Sequence, residues 1–157
     1  MMKETSSERR WIVGLGGTFD HLHEGHEKLL TTAFNLGKKV LVGLATDELL
    51  KNKKLKELIQ DYETRKNNLV EFAESIGRGE DLVIIPLDDP FGPAVTEPSL
   101  EMHISSEETI EVAIKMNEAR VKNGLNPLIL VTIPMVLDRS GERYSSTRIR
   151  EELDSNF

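Results

Sequence analysis

From residue 16 to residue 26 the chain reads Gly16-Gly17-Thr18-Phe19-Asp20-His21-Leu22-His23-Glu24-Gly25-His26. An apolar stretch, Trp11-Ile12-Val13-Gly14-Leu15, precedes this run, and an amphipathic pattern over residues 27–36 follows it. A glycine-bearing turn between a strand and a helix gathers backbone N–H groups and the positive end of a helix dipole at one point, which suits a phosphate group. His23 and His26, with Gly25 between them, add imidazole donors to that point. Donors converging from several directions neutralise a polyphosphate chain, so the run reads as chemistry on a nucleoside triphosphate. A second cluster lies near the C-terminus, where Tyr144-Ser145-Ser146-Thr147-Arg148-Ile149-Arg150 combines hydroxyls, a helix start and an arginine. Alone, Ser145-Ser146-Thr147 would be an ordinary N-cap. Beside the first run, its N–H groups and hydroxyls suit a departing pyrophosphate.

Other chemistries fit less well. Gly14, Gly16 and Gly17 lack the third glycine of a dinucleotide fingerprint, whose place Phe19 takes, and no Walker A sequence occurs. His21-x-His23-x-x-His26 resembles the His-x-His-x-Asp-His run of the metallo-β-lactamase-type hydrolases, but Gly25 stands where the second metal's aspartate would be. His103 is the one further histidine, too few to complete such a shell, so no protein metal ligand is expected.

These residues need a scaffold that brings loop ends together. Strand candidates are 11–15, 39–45, 82–87, 100–105 and 128–133. Leu29, Ala33 and Leu36 repeat at helical spacing before Gly37; Leu69, Phe72, Ala73 and Ile76 do so before Gly77; Ile110, Ile114 and Val121 do so before Gly124. Ser105-x-x-Glu108 predicts a capping box at the start of the third helix. A short last helix is expected from Ser145 or Ser146. Nearly all-apolar strands separated by helices predict a doubly wound α/β domain, a Rossmann-like five-stranded parallel sheet covered on both faces. Right-handed crossovers put its ligand crevice beyond the C-terminal strand ends. The segments 16–26, 46–56, 88–93, 105–109 and 134–150 all follow strands and carry the candidate chemistry.

The 157 residues suit a single domain spanning 1–157, with 1–9 expected to be flexible. The absence of cysteine excludes disulfides and thiolate metal sites. The polar N-terminus has no signal-peptide core and no apolar run is long enough to span a bilayer, so a cytoplasmic protein without membrane contact is expected. A net charge of −7 opposes a general nucleic-acid binder. It also requires the positive field at a phosphate site to be local, made by helix N-termini, histidines, the lysines between 51 and 56, and Arg143, Arg148 and Arg150.

The runs at 16–26 and 144–150 resemble the His-x-Gly-His and Ile-Ser-Ser-Thr-x-x-Arg signatures of the nucleotidyltransferases that cleave a nucleoside triphosphate between its α- and β-phosphates; Tyr144 replaces the usual isoleucine. Asp88-Asp89-Pro90-Phe91-Gly92-Pro93 and Ser105-Ser106-Glu107-Glu108-Thr109 are similar to the archaeal phosphopantetheine adenylyltransferases and to the matching domain of eukaryotic CoA synthase. The cytidylyltransferases usually read Arg-Thr-Asp-Glu where this chain has Ala45-Thr46-Asp47-Glu48. The resemblance covers about residues 11–153. It implies transfer of AMP from ATP, with Mg²⁺, to 4′-phosphopantetheine, giving dephospho-CoA and pyrophosphate by direct in-line attack. It further implies nucleotide contacts at Gly16, Gly17, Thr18, Phe19, His23, Gly25 and His26. His23 and His26 would hold the α- and β-phosphates, and Thr18 the acceptor phosphate or α-phosphate. Ser145, Ser146, Thr147 and Arg148 would hold the β- and γ-phosphates, and Lys51 or Lys54 the transferred group. Adenine would be read by backbone near 132–135, and the acceptor arm by a groove containing Phe91, Pro93 and Val95. Arg65 would help to position the loop after the second strand. The rivals are a sister enzyme using glycerol 3-phosphate, FMN or nicotinamide mononucleotide, a non-catalytic nucleotide sensor, and the zinc hydrolase.

Overall fold

The computed structural model describes residues 11–53 and 56–134. Strands β1 (Trp11–Gly17), β2 (Gly37–Ala45), β3 (Leu82–Leu87), β4 (Met102–Ser106) and β5 (Ile129–Ile133) form one parallel sheet in the order β3-β2-β1-β4-β5. Helices α1 (Glu24–Leu36), α2 (Tyr62–Ser75) and α3 (Ile110–Lys122) lie between the strands. Side chains alternate across each strand. Val13, Leu15, Val40, Val42, Met102 and Ile104 therefore bury against one face, where Leu30 and Phe34 of α1 and Leu69 and Ala73 of α2 complete the larger core. Ile12, Leu41 and Leu130 point to the other face, covered by Ala113 and Met116 of α3 with Ala94 and Leu100. The sheet is thus doubly wound, as expected. Its order reverses between β1 and β4, and the crevice beyond those two strand ends is where such sheets bind ligands.

Several boundaries differ from the sequence reading, each for a local reason. Helix α1 begins at Glu24 because His23 caps it, so His23 and His26 belong to the helix start, as N-cap and first turn, while His21 stays in the turn before it. Gly37 is extended (φ −108°) and opens β2 directly. Gly77 (φ +75°) and Gly124 (φ +87°) do adopt the left-handed cap for which glycine is suited. The buried stripe of α3 is Ala113, Met116 and Arg120, whereas Ile114 and Val121 are 46% and 49% exposed. The expected capping box does not form. Ser105 lies inside β4, the N-cap of α3 is Thr109 without a side-chain cap bond, and the Thr109 hydroxyl accepts from the Ser106 N–H at 3.2 Å.

Arg120, fully buried, fixes the segment between β3 and β4. Its guanidinium donates to the carbonyls of Ala94, Glu97, Leu100 and Asn126 at 2.6–2.9 Å. Four loop carbonyls that no strand could pair are satisfied by one side chain.

Candidate active site

The turn from β1 into α1 is held against its own backbone preference. Phe19 (φ 50°) and His21 (φ 49°) both adopt left-handed conformations that are unfavourable for bulky residues. Between them Asp20 is wholly buried, and its carboxylate accepts from the Gln60 N–H at 2.8 Å. The His21 N–H donates to Gln60 Oε1 at 3.0 Å, and His21 Nε2 donates to the Leu58 carbonyl at 3.0 Å. Arg65 ties these strands of backbone together. It is wholly buried on α2 and donates to the carbonyls of Thr18 (3.0 Å), Ala45 (2.7 Å) and Gln60 (2.9 Å) and to Asp47 Oδ1 (2.9 Å). The loops after β1 and β2 are therefore pinned to each other through one guanidinium.

His23 and His26 form a reciprocal cap. The Gly25 N–H donates to His23 Nδ1 at 3.0 Å, and the His23 N–H donates to His26 Nδ1 at 3.2 Å. An Nδ1 that accepts cannot carry the proton of a neutral imidazole, so each ring carries it on Nε2. The rings stack with centroids 3.8 Å apart, and Phe19 packs on His26 at 5.2 Å. Burial, with His23 alongside, lowers the His26 pKa to about 3. His26 is therefore a neutral Nε2–H donor at the positive end of α1, with His23 stacked beside it. His21 turns away to Leu58, so the three histidines of the run do not converge on one point.

These residues edge a cavity of about 590 Å³ at the β1/β4 switch. Gly16, Gly17, Thr18, Phe19, His23, Gly25 and His26 all line it. A Cβ at Gly16 would meet only Leu87 at 3.4 Å and the Gly43 carbonyl at 3.5 Å, so glycine there leaves room for a ligand rather than for the protein. Of the lysines, Lys51 pairs with Glu48 at 2.6 Å on the surface, while Lys53 reaches the cavity wall. Lys54, Ser145, Ser146, Thr147 and Arg148 lie outside the described residues. Phe91 and Pro93 line the cavity, whereas Val95 packs into the smaller core. Ile133 and Pro134 close the β5 side. Sequence reasoning missed Lys53, His103 and Ser105 as lining residues. Among the described residues no three His, Asp or Glu side chains gather as metal ligands, and no helix is long and apolar enough to cross a membrane.

Burial also lowers His103, to about 4. Both histidines have folded pKa values below the ordinary 6.5, so on acidification the unfolded chain takes up protons that the folded chain refuses. Their contribution is complete above pH 6.5 and is lost as pH falls towards 4 and 3. Asp61, Asp81 and Glu97, held down by hydrogen bonds, begin to weaken the fold only below about pH 4.5. We therefore expect the unfolding midpoint to fall between pH 6.5 and about 4.5, and the fall to shrink in His26→Asn and His103→Gln. A flat profile over that window in the wild-type protein would exclude buried neutral histidines.

A family model described as cytidylyltransferase-like matches residues 15–152. The chain is 39% identical over 142 residues to the phosphopantetheine adenylyltransferase of Methanopyrus kandleri, covering 90% of each chain. It is 44% identical over 145 residues to the enzyme of that name from Thermococcus gammatolerans, covering 92% of this chain and 91% of that one. Among solved structures, a bifunctional NMN adenylyltransferase/ADP ribose pyrophosphatase from Francisella tularensis superposes with a TM-score of 0.61 at 15% identity, over 94% of this chain and 43% of that chain. It shares the fold.

Proposed function

The chain belongs to the cytidylyltransferase-like family, and we propose that it transfers AMP from ATP to 4′-phosphopantetheine, forming dephospho-CoA and pyrophosphate in coenzyme A synthesis. The observation that carries this reading is the reciprocal histidine cap, which turns both Nδ1 atoms to the backbone and leaves Nε2–H as the donor side of each ring, beside helix N–H groups in the lining of the cavity. The acceptor's phosphate oxygen, already anionic at neutral pH, attacks the α-phosphorus. A P–O bond forms there, the bond from the α-phosphorus to the bridging oxygen breaks, and pyrophosphate leaves with the electron pair. No general base is needed, so the protein's part is positioning and neutralisation of spreading charge. His23 and His26 take the α- and β-phosphates, Thr18 sits where the two reactants meet, and Lys53 supplies a cation on the acceptor side. Ser145, Ser146, Thr147 and Arg148 remain assigned to the β- and γ-phosphates on their motif. Mg²⁺ enters as MgATP, bound chiefly through triphosphate oxygens.

The test is pyrophosphate release from ATP and Mg²⁺ with 4′-phosphopantetheine, glycerol 3-phosphate, FMN or nicotinamide mononucleotide. Turnover with 4′-phosphopantetheine alone is expected, with dephospho-CoA as product. Turnover with another acceptor would keep the phosphate chemistry and replace the substrate. Silence from protein that binds ATP would make it a sensor.

A further inference from the structure

Among the described residues, two buried side-chain polar atoms have no hydrogen-bond partner: His103 Nδ1 and Ser105 Oγ. A buried polar atom left unpaired is destabilising, and native structures keep few. These two are not scattered. They alternate with Met102 and Ile104 on β4, so they share one face of the sheet, roughly 6.6 Å apart along the strand. Both line the cavity, and Ser105 is 4% exposed. His103 stands opposite Gly14 of β1, which has no side chain to cover it. The surrounding walls, Leu100, Ala113, Met116 and Phe91, are apolar.

The face matters. Helix α1, with its histidines, packs on the opposite face of the sheet, whereas His103 and Ser105 look towards α3 and the 91–95 segment. In-line transfer puts attacking and leaving oxygens on opposite sides of the phosphorus. A triphosphate held at the start of α1 therefore leaves the α3 side to the acceptor.

We infer that His103 and Ser105 form a hydrogen-bonding pair that reads a neutral amide in the arm of the acceptor and so sets acceptor specificity. This rests on the acceptor reading above: 4′-phosphopantetheine carries two secondary amides beyond its phosphate, and glycerol 3-phosphate carries none. An imidazole that burial keeps uncharged at neutral pH and a hydroxyl together offer a donor and an acceptor without charge, matching an amide N–H and C=O rather than an anion. A polar pair of this kind discriminates strongly, because an arm lacking the amide leaves it unpaired, whereas apolar walls discriminate weakly.

The experiment measures KM for both substrates in Ser105→Ala, His103→Leu and His103→Gln, with thermal midpoints in the presence and absence of 4′-phosphopantetheine. KM for 4′-phosphopantetheine should rise about 10- to 100-fold in Ser105→Ala and His103→Leu, with KM for ATP unchanged and partial recovery in His103→Gln. Ser105→Ala loses no bond within the protein, so its ligand-free midpoint should not fall while its stabilisation by 4′-phosphopantetheine shrinks. If His103→Leu does not fold, Ser105→Ala alone decides the matter. Unchanged acceptor KM, a raised ATP KM, or a lowered ligand-free midpoint in Ser105→Ala overturns the pair. Wild-type turnover confined to glycerol 3-phosphate overturns the acceptor reading and the pair with it, and is distinguished by the wild-type panel.

Discussion

Replacing His26 with alanine is expected to lower kcat about 10²- to 10³-fold in a protein that still folds. The ring performs two tasks that alanine removes together. Its Nδ1 accepts the His23 N–H and so caps α1, and its Nε2–H is the donor offered to the triphosphate. Losing a cap costs about 0.5–2 kcal/mol of stability; losing a donor aimed at developing phosphoryl charge costs rate. Two further substitutions separate the tasks. Asparagine places an oxygen near the position of Nδ1 but nothing at Nε2, so His26→Asn should keep most of the wild-type stability and none of the lost rate. Glutamine reaches the position of Nε2 with an amide N–H, so His26→Gln should recover part of kcat. Steady-state kinetics and thermal unfolding on the three variants check this. Wild-type turnover in His26→Asn would show that the imidazole serves the helix alone.

What the sequence made legible was local. The strand–turn–helix run at 16–26 reads as a phosphate site because the glycines, the histidines and the following amphipathic pattern all lie within one short stretch, and the structure brings Gly16, Gly17, Thr18, Phe19, His23, Gly25 and His26 to one cavity. The parallel sheet was legible too, from apolar strands alternating with helical spacing. The long-range partners were legible only in outline: Arg65 was expected to position the loop after the second strand, as its bonds to Ala45 and Asp47 do, but neither its burial nor the part played by Arg120 was foreseen. Arg65 and Arg120 look like ordinary charged residues on helices, yet each is wholly enclosed by carbonyls of distant loops. A signal did exist: Arg65 falls on the stripe of Leu69 and Ala73, and Arg120 on that of Ala113 and Met116, so an arginine stands where an apolar residue belongs. Ser105 was read both as the end of the strand at 100–105 and, because Ser-x-x-Glu fits that spacing, as a helix cap; the structure keeps the first reading and not the second. The alternation Met102-His103-Ile104-Ser105 was the stronger evidence, since period two carries the strand through Ser105. The lysine run after β2 has no period at all, so nothing in it distinguished Lys53, at the cavity, from Lys51, on Glu48.

Arg65→Met is expected to be the most damaging single change to the fold around the site. Methionine fills a similar volume but donates no hydrogen bond, so the carbonyls of Thr18, Ala45 and Gln60 lose a buried partner at once and Asp47 loses its ion pair. Each buried carbonyl left unpaired costs about 1–3 kcal/mol, and the exposed carboxylate of Asp47 adds little. A total above about 3 kcal/mol should lower the unfolding midpoint by roughly 10 °C. Lysine is no substitute, because one ammonium cannot span three carbonyls that a planar fork reaches together, so Arg65→Lys should be nearly as unstable. Activity should fall as well, at temperatures where circular dichroism shows Arg65→Met to be folded. Phe19 and His21 keep their left-handed backbone only while Thr18 and Gln60 are anchored, and relaxation of that turn would move the Phe19 ring from behind His26. The loss should appear in kcat more than in KM for ATP, since misplaced donors still bind a polyphosphate but no longer meet its transition state. A midpoint within about 3 °C of wild type would mean that the four contacts are dispensable. A destabilised variant with normal kcat in the cold would confine Arg65 to the fold and free the turn's geometry from it.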